Sequence, residues 1–315
     1  MKTPSLPIRS LPIRRLPIPS LPIRRLPIPC LPIRRLPIRA LPIPAVPTAL
    51  LRATALELAV LAGHALLYPT GIADERHPEP APAPPPTPDP RATGRLPGEV
   101  AGRPPVVLLH GFIDNRSVFV LLRRSLARHG WHHLESLNHS PLTSDIRTAA
   151  ELLGRHIEEI CARTGHERVD IVGHSLGGLI ARYYVQRLGG DHRVRTLVTL
   201  GTPHAGTAVA PLAGALPIVR QMRGGSAPIE ELRLPAPGCR TRFVSFWSEL
   251  DRVIVPPEAA CVDHPDLDAV NVRVTGIGHL ALPVHPAVAA AVRQALDTAE
   301  PAHGSSGAAG SASVA

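Results

Sequence analysis

At 315 residues the chain is long enough for one α/β enzyme domain of about 200 to 250 residues with appendages. Its net charge of +9 suggests an anionic partner, but residues 1–48 hold nine cations (Lys2, Arg9, Arg14, Arg15, Arg24, Arg25, Arg34, Arg35, Arg39) and no acid. Residues 49–315 are then formally neutral, which argues against a nucleic-acid-binding core.

In chain order, residues 1–48 come first and repeat the unit Leu-Pro-Ile-x-x from Leu6 to Ala45. Proline at every fifth position or closer removes backbone donors and blocks both helix and central strand, so a low-complexity, disordered segment is expected. It reads either as a basic membrane-surface tail or as upstream DNA taken as coding, since the only methionines are Met1 and Met222. Residues 49–76 open with the longest apolar stretch, interrupted by Arg52, Glu57 and His64. That stretch reads either as an anchor or signal-like helix or as a helix packed on the enzyme or a membrane. Residues 77–104, with Pro84, Pro85 and Pro86, read as a stiff linker, and 301–315, rich in Ala, Gly and Ser, as a disordered tail.

Between these flanks, residues 105–300 alternate short apolar runs with helix-length amphipathic segments, the pattern of a mostly parallel sheet covered on both faces. Strands are expected at Val106–Leu109, Leu134–Leu137, Val169–Val172, Val194–Leu200, Arg242–Trp247 and Val270–Thr275. Helices are expected at Ser117–Arg128, Asp145–Arg163, Leu176–Arg187 and Pro286–Asp297.

The chemistry begins at Asp170-Ile-Val-Gly-His-Ser-Leu-Gly-Gly178, which sets a G-x-S-x-G between a strand and a helix. In that setting the turn is sharp enough to need Gly173 and Gly177, and it presents Ser175 beside a helix N-terminus, where an oxyanion is favoured. A serine hydroxyl needs a base, and the base needs a residue to fix its tautomer. His279 is the expected base because it follows a strand and a Gly-Ile-Gly turn and precedes the last helix; His204 and His285 are the rivals. Asp251 is the expected acid and Glu249 the fallback, both just past the strand Phe243-Val-Ser-Phe-Trp247. The oxyanion hole requires two backbone N–H donors, assigned to Leu176 and to Phe112 in His110-Gly111-Phe112, with His110 ordering that loop.

Three motifs carry a resemblance: Val106-Val-Leu-Leu-His-Gly-Phe112, Gly173-His-Ser-Leu-Gly-Gly178 and Leu200-Gly-Thr-Pro-His-Ala-Gly-Thr207. From Pro105 to about Ala299 the chain resembles bacterial lipases and esterases of the α/β-hydrolase superfamily, the last motif being similar to one in many triacylglycerol lipases. The resemblance implies the α/β-hydrolase fold, carboxylic ester hydrolysis through an acyl-enzyme, and no cofactor.

Residues 208–238, rich in Ala, Leu, Pro and Gly, form an insertion expected to sit over Ser175 as an acyl-binding wall or short lid. A small-molecule or lipid ester is the expected substrate, with contact to a membrane or lipid interface and a secreted or membrane-associated location. An acyltransferase or thioesterase could use the same triad, and a non-catalytic binding protein could use the same scaffold. The four cysteines Cys30, Cys161, Cys239 and Cys261 match no zinc module, and a disulfide between Cys239 and Cys261 stays open. The group His129, His132, His133 and His139 lacks the spacing of a metal site.

Overall fold

The computed structural model describes residues 48–71, 102–112, 114–138, 145–208, 216–297 and 311–314. The Leu-Pro-Ile repeat through residue 47, most of the proline-rich linker, His139, Cys30 and residues 209–215 of the 208–238 insertion lie outside the described residues.

Helix α1 (Thr48–Leu67) runs into a 3₁₀ turn at Tyr68–Gly71. The αβ core then reads β1 (Val106–Leu109), α2 (Val120–Arg128), β2 (Leu134–Leu137), α3 (Ile146–Thr164), β3 (Val169–His174), α4 (Leu176–Arg187) and β4 (Val194–Leu200). It continues with α5 (Pro217–Gln221), α6 (Ala227–Glu231), β5 (Arg242–Trp247), β6 (Asp268–Val274) and α7 (Pro286–Asp297). The strands lie in the order β2-β1-β3-β4-β5-β6, every pairing parallel.

One expectation is corrected at the C-terminus. Ser311–Val314 forms a seventh strand, β7, parallel to β6 and not part of a disordered tail. The edge of β6 leaves a row of unpaired backbone groups, which the main chain of four residues without proline can fill whatever the apolar pattern of their side chains. Cys239 and Cys261 are free thiols, so the disulfide left open by the sequence is absent; burial raises both their pKa values, Cys261 to about 11.

The pleat sorts the core. Val107, Leu109 and Ile171 point to the face covered by α3 and α4, while Val106, Leu108 and Val172 point to the face covered by α2 and α7. With both faces covered, β3 is buried along its whole length, as its continuous apolar run requires. Asp170 within it, fully buried, receives two hydrogen bonds from Arg195 on β4 at 2.9 and 2.6 Å, and Arg195 also donates to the Leu296 carbonyl of α7. Burial still raises the Asp170 pKa.

Helix α1 is different. Leu50–Leu67 is long and apolar enough to cross a membrane by length and composition. Among its described side chains only Ala53 is buried, while Leu56 and Val60 pack against the core on the α2 and α7 face. Leu51, Leu58, Leu61 and Leu66 face solvent.

Candidate active site

Ser175 sits between the end of β3 and the start of α4 with φ 51° and ψ −118°, the sole non-glycine at positive φ among the described residues. Such a backbone costs about 1 to 3 kcal/mol and persists only where its surroundings enforce it. Here a Cβ on Gly173 would come within 2.5 Å of the Gly178 backbone, and one on Gly177 within 2.3 Å of the Leu109 carbonyl. The expected collision at both glycines is therefore real. The turn is also tied down by Ser175 N–H donating to the Leu200 carbonyl at 2.9 Å and by Thr202 Oγ1 donating to the Ser175 carbonyl at 2.9 Å. Leu176, the first residue of α4, has an amide beyond the reach of the helix's own carbonyls.

His279 and Asp251 meet across 28 residues of sequence. His279 Nδ1 lies 2.7 Å from Asp251 Oδ2, with both side chains buried. Asp251 Oδ1 accepts the amides of Val253 and Ile254 at 2.8 Å each, so the carboxylate is fixed on both oxygens. Ser248 Oγ donates to the Ile277 carbonyl at 2.6 Å and ties the loop of Asp251 to that of His279. Burial alone would lower the imidazole pKa. The Asp251 carboxylate, aided by Asp114 and Glu57, outweighs it and leaves His279 raised above 6.5.

The rivals fall elsewhere. Glu249 pairs with Arg273 at 2.5 Å on the surface. His204 is buried within 3.0 Å of Thr199 Oγ1, and desolvation together with Arg182 holds its pKa well below 6.5. His285 immediately precedes α7, where its carbonyl accepts the Ala289 amide.

Ser175 and His279 line one cavity of about 190 Å³. Gly111 and Phe112 form one side of it, and Cβ on Gly111 would be 3.3 Å from Ser175 Cβ, so the loop after β1 passes directly over Ser175. His110 Nδ1 lies 2.8 Å from the Gly111 carbonyl, consistent with an ordering role for that buried ring. The rest is apolar: Pro203, Val219, Met222, Val253, Ile254 and Leu280. Val219 and Met222 belong to the 208–238 insertion, whose Ile218, Ile229 and Leu232 are built into the core. The described part of the insertion is thus a packed wall. Thr207 fastens it: its N–H donates to the Met222 carbonyl at 2.9 Å and its hydroxyl to the Val253 carbonyl at 2.8 Å.

Four polar residues near this site escaped sequence reasoning. Asp114 lines the cavity, with Oδ2 3.2 Å from His174 Nδ1 and Oδ1 3.7 Å from His64 Nδ1. Burial opposes its charge, but His174, His64 and His110 together keep its pKa below the ordinary value. The His174 and His279 rings stand 4.8 Å apart, with His174 Nε2 3.3 Å from the His279 carbonyl. Glu57, from α1, reaches the loop of His279. The nearest sequence signal was that Glu57 and His64 interrupt an otherwise apolar helix.

Residues 104–224 match the family model of the alpha/beta hydrolase fold. The chain has the α/β-hydrolase fold. Over 117 residues the chain is 29% identical to a triacylglycerol lipase of Pseudarthrobacter phenanthrenivorans, covering 35% of this chain and 36% of the relative. Over 126 residues it is 32% identical to a triacylglycerol lipase of Vibrio cholerae serotype O1, covering 38% and 39%. The chain thus spans little more than a third of the length of the curated relatives it matches. The crystal structure of Aspergillus fumigatus lipase B shares the fold at a TM-score of 0.55 and 17% identity, over 63% of this chain and 54% of that one.

Proposed function

We propose that this α/β hydrolase is a carboxylic ester hydrolase of the lipase and esterase kind, with Ser175 as nucleophile, His279 as general base and Asp251 as the acid that orients it. The observation that carries the reading is the buried 2.7 Å His279–Asp251 pair opening on the same apolar cavity as the strained Ser175. Lipid-like esters are the proposed substrates, because the wall around the serine offers an acyl chain apolar contacts and the matched relatives are triacylglycerol lipases.

In this mechanism His279 Nε2 takes the Ser175 proton as Oγ bonds to the ester carbonyl carbon. The carbonyl oxygen becomes an oxyanion that accepts the N–H of Leu176 and of Phe112, each donor worth roughly 3 kcal/mol in such sites. Collapse breaks the carbon–oxygen bond to the alcohol, which leaves with the proton from the imidazolium. Water then adds to the acyl-enzyme by the same route, the carboxylic acid departs and Ser175 regains its proton. Asp251 keeps its charge throughout and holds Nδ1–H, so that Nε2 faces the serine.

The test is hydrolysis of p-nitrophenyl esters by wild type and Ser175→Ala. The variant should lose activity by at least three orders of magnitude and keep the wild-type melting temperature to within a few degrees. Retention of more than a few per cent of kcat would sink the assignment.

A further inference from the structure

Helix α1 lies outside the αβ core, yet its polar contacts converge on the loops that carry the proposed catalytic groups. Glu57 Oε2 accepts the N–H of Leu280 and Oε1 that of Ala281, each at 2.9 Å, across more than 220 residues of sequence. These are the two amides directly after His279. The amides that follow are satisfied within the loop, Leu282 by the His279 carbonyl at 3.4 Å and Val284 by the Ala281 carbonyl at 3.2 Å. The approach requires a glycine at position 278, where a Cβ would stand 2.7 Å from Glu57 Cδ. Seven residues on, two helical turns and so on the same face, His64 meets Asp114 of the loop over Ser175. Just past the helix, the Tyr68 carbonyl accepts a hydrogen bond from Asn115 Nδ2 at 2.8 Å.

We infer that α1 is a clamp joining the base loop to the oxyanion loop, and that Glu57 is a positioning residue for the general base. The inference rests on the reading of Ser175, His279 and Asp251 as a triad. Asp251 holds the imidazole from one side; Glu57 holds the backbone that carries it from the other, through two hydrogen bonds to an ionised acceptor, the stronger kind. Displacing a reacting group by about 1 Å can cost on the order of 100-fold in rate, so the loop's exact placement matters. Glu57 also adds negative charge beside the imidazolium that forms in the reaction. The other charged or titratable groups facing His279 are Asp251, Asp114 and His174. Among the described side chains of α1 only Ala53 is fully buried, with Leu56 and Val60 packing against the core in part.

The experiment uses the full chain as wild type, Glu57→Gln, Glu57→Asp and, on the outer face of α1, Leu58→Ser. Measured are kcat and KM on p-nitrophenyl butyrate, the pH profile of kcat/KM, amide exchange at Leu280 and Ala281, and Ser175 labelling by a fluorophosphonate. Gln keeps one acceptor and loses the charge, so kcat should fall at least tenfold with KM within about twofold, and the acid limb should move to lower pH. Exchange at the two amides should rise at least tenfold. Asp restores the charge and returns the limb toward wild type, and Leu58→Ser matches wild type. An active wild type with a Glu57→Gln variant of unchanged kcat and unshifted limb overturns the inference alone, whatever the melting temperature, as does an effect on KM only. A wild type that neither hydrolyses the ester nor labels at Ser175 overturns the triad reading and the role of Glu57 with it.

Discussion

The proton on His279 sets the acid side of the proposed activity. Its pKa is raised above 6.5 because Asp251 outweighs burial, and the base works only when neutral. Activity should therefore be lost as pH falls through a value above 6.5, which the half-point of kcat/KM against pH measures. Asp251→Asn removes the leading stabiliser of the imidazolium and leaves burial in place. The half-point should move to lower pH while kcat falls by roughly 10⁴-fold, as when an orienting acid is lost and the wrong tautomer follows. A variant within tenfold of wild-type kcat would return Asp251 to the status of a loop acid. The proposed triad of Ser175, Asp251 and His279 was legible as a candidate because each follows a strand in a local motif whose chain order the fold dictates. Glu57, Asp114 and His64 were not, because their roles depend on contacts between distant segments that no local pattern encodes. The choice of Asp251 over Glu249 was also a matter of position: two residues apart, one turns inward and the other pairs with Arg273.

Elements were legible where burial forces a period. The six core strands fall within two residues of the expected runs: β1, covered on both faces, is apolar throughout, whereas β2 and β6, nearer the sheet edges, alternate buried with more exposed positions. β7 has only Ser311-Ala-Ser-Val314 and carries no such signal. The insertion shows the same limit at finer grain. Its apolar composition suggested a wall, but composition does not tell which of its side chains face the cavity and which the core. In the structure Ile218 turns into the core, and Val219 and Met222, three apart and so on one helical face, line the cavity. Specificity should rise from acetate toward longer acyl esters, each covered methylene contributing up to about 0.8 kcal/mol to transition-state binding. Met222→Ser should flatten that rise and spare acetate. Ile218→Ser should instead lower stability by roughly 2 to 4 kcal/mol through lost burial and an unpaired hydroxyl, with the acyl-length profile kept. An enzyme that prefers acetate, with kcat/KM falling steadily to octanoate, would contradict the acyl-wall reading.

At the scale of the whole chain, the question is where the functional protein starts along the sequence. Residues 1–47 hold the proline repeat and all the excess positive charge, and nothing in their composition can supply a core. α1 begins at Thr48 and brings Glu57 and His64 to the site. Two truncations separate these contributions. Removal of residues 1–47 should leave the melting temperature within about 2 °C and kcat on a soluble ester within twofold. It should also abolish any salt-sensitive binding to vesicles containing phosphatidylserine, because nine cations at about 1 kcal/mol each near an anionic surface are lost together. Removal of residues 1–71 takes the clamp as well: Leu280 and Ala281 lose their acceptor, Asp114 loses His64, and Asn115 loses the Tyr68 carbonyl. This shorter protein should turn over at least tenfold more slowly than the first truncation at a temperature where circular dichroism shows both folded. Equal turnover by the two would make α1 dispensable to the site. A collapse of activity on removing residues 1–47 alone would place an essential part of the enzyme in the repeat, against everything its proline spacing implies.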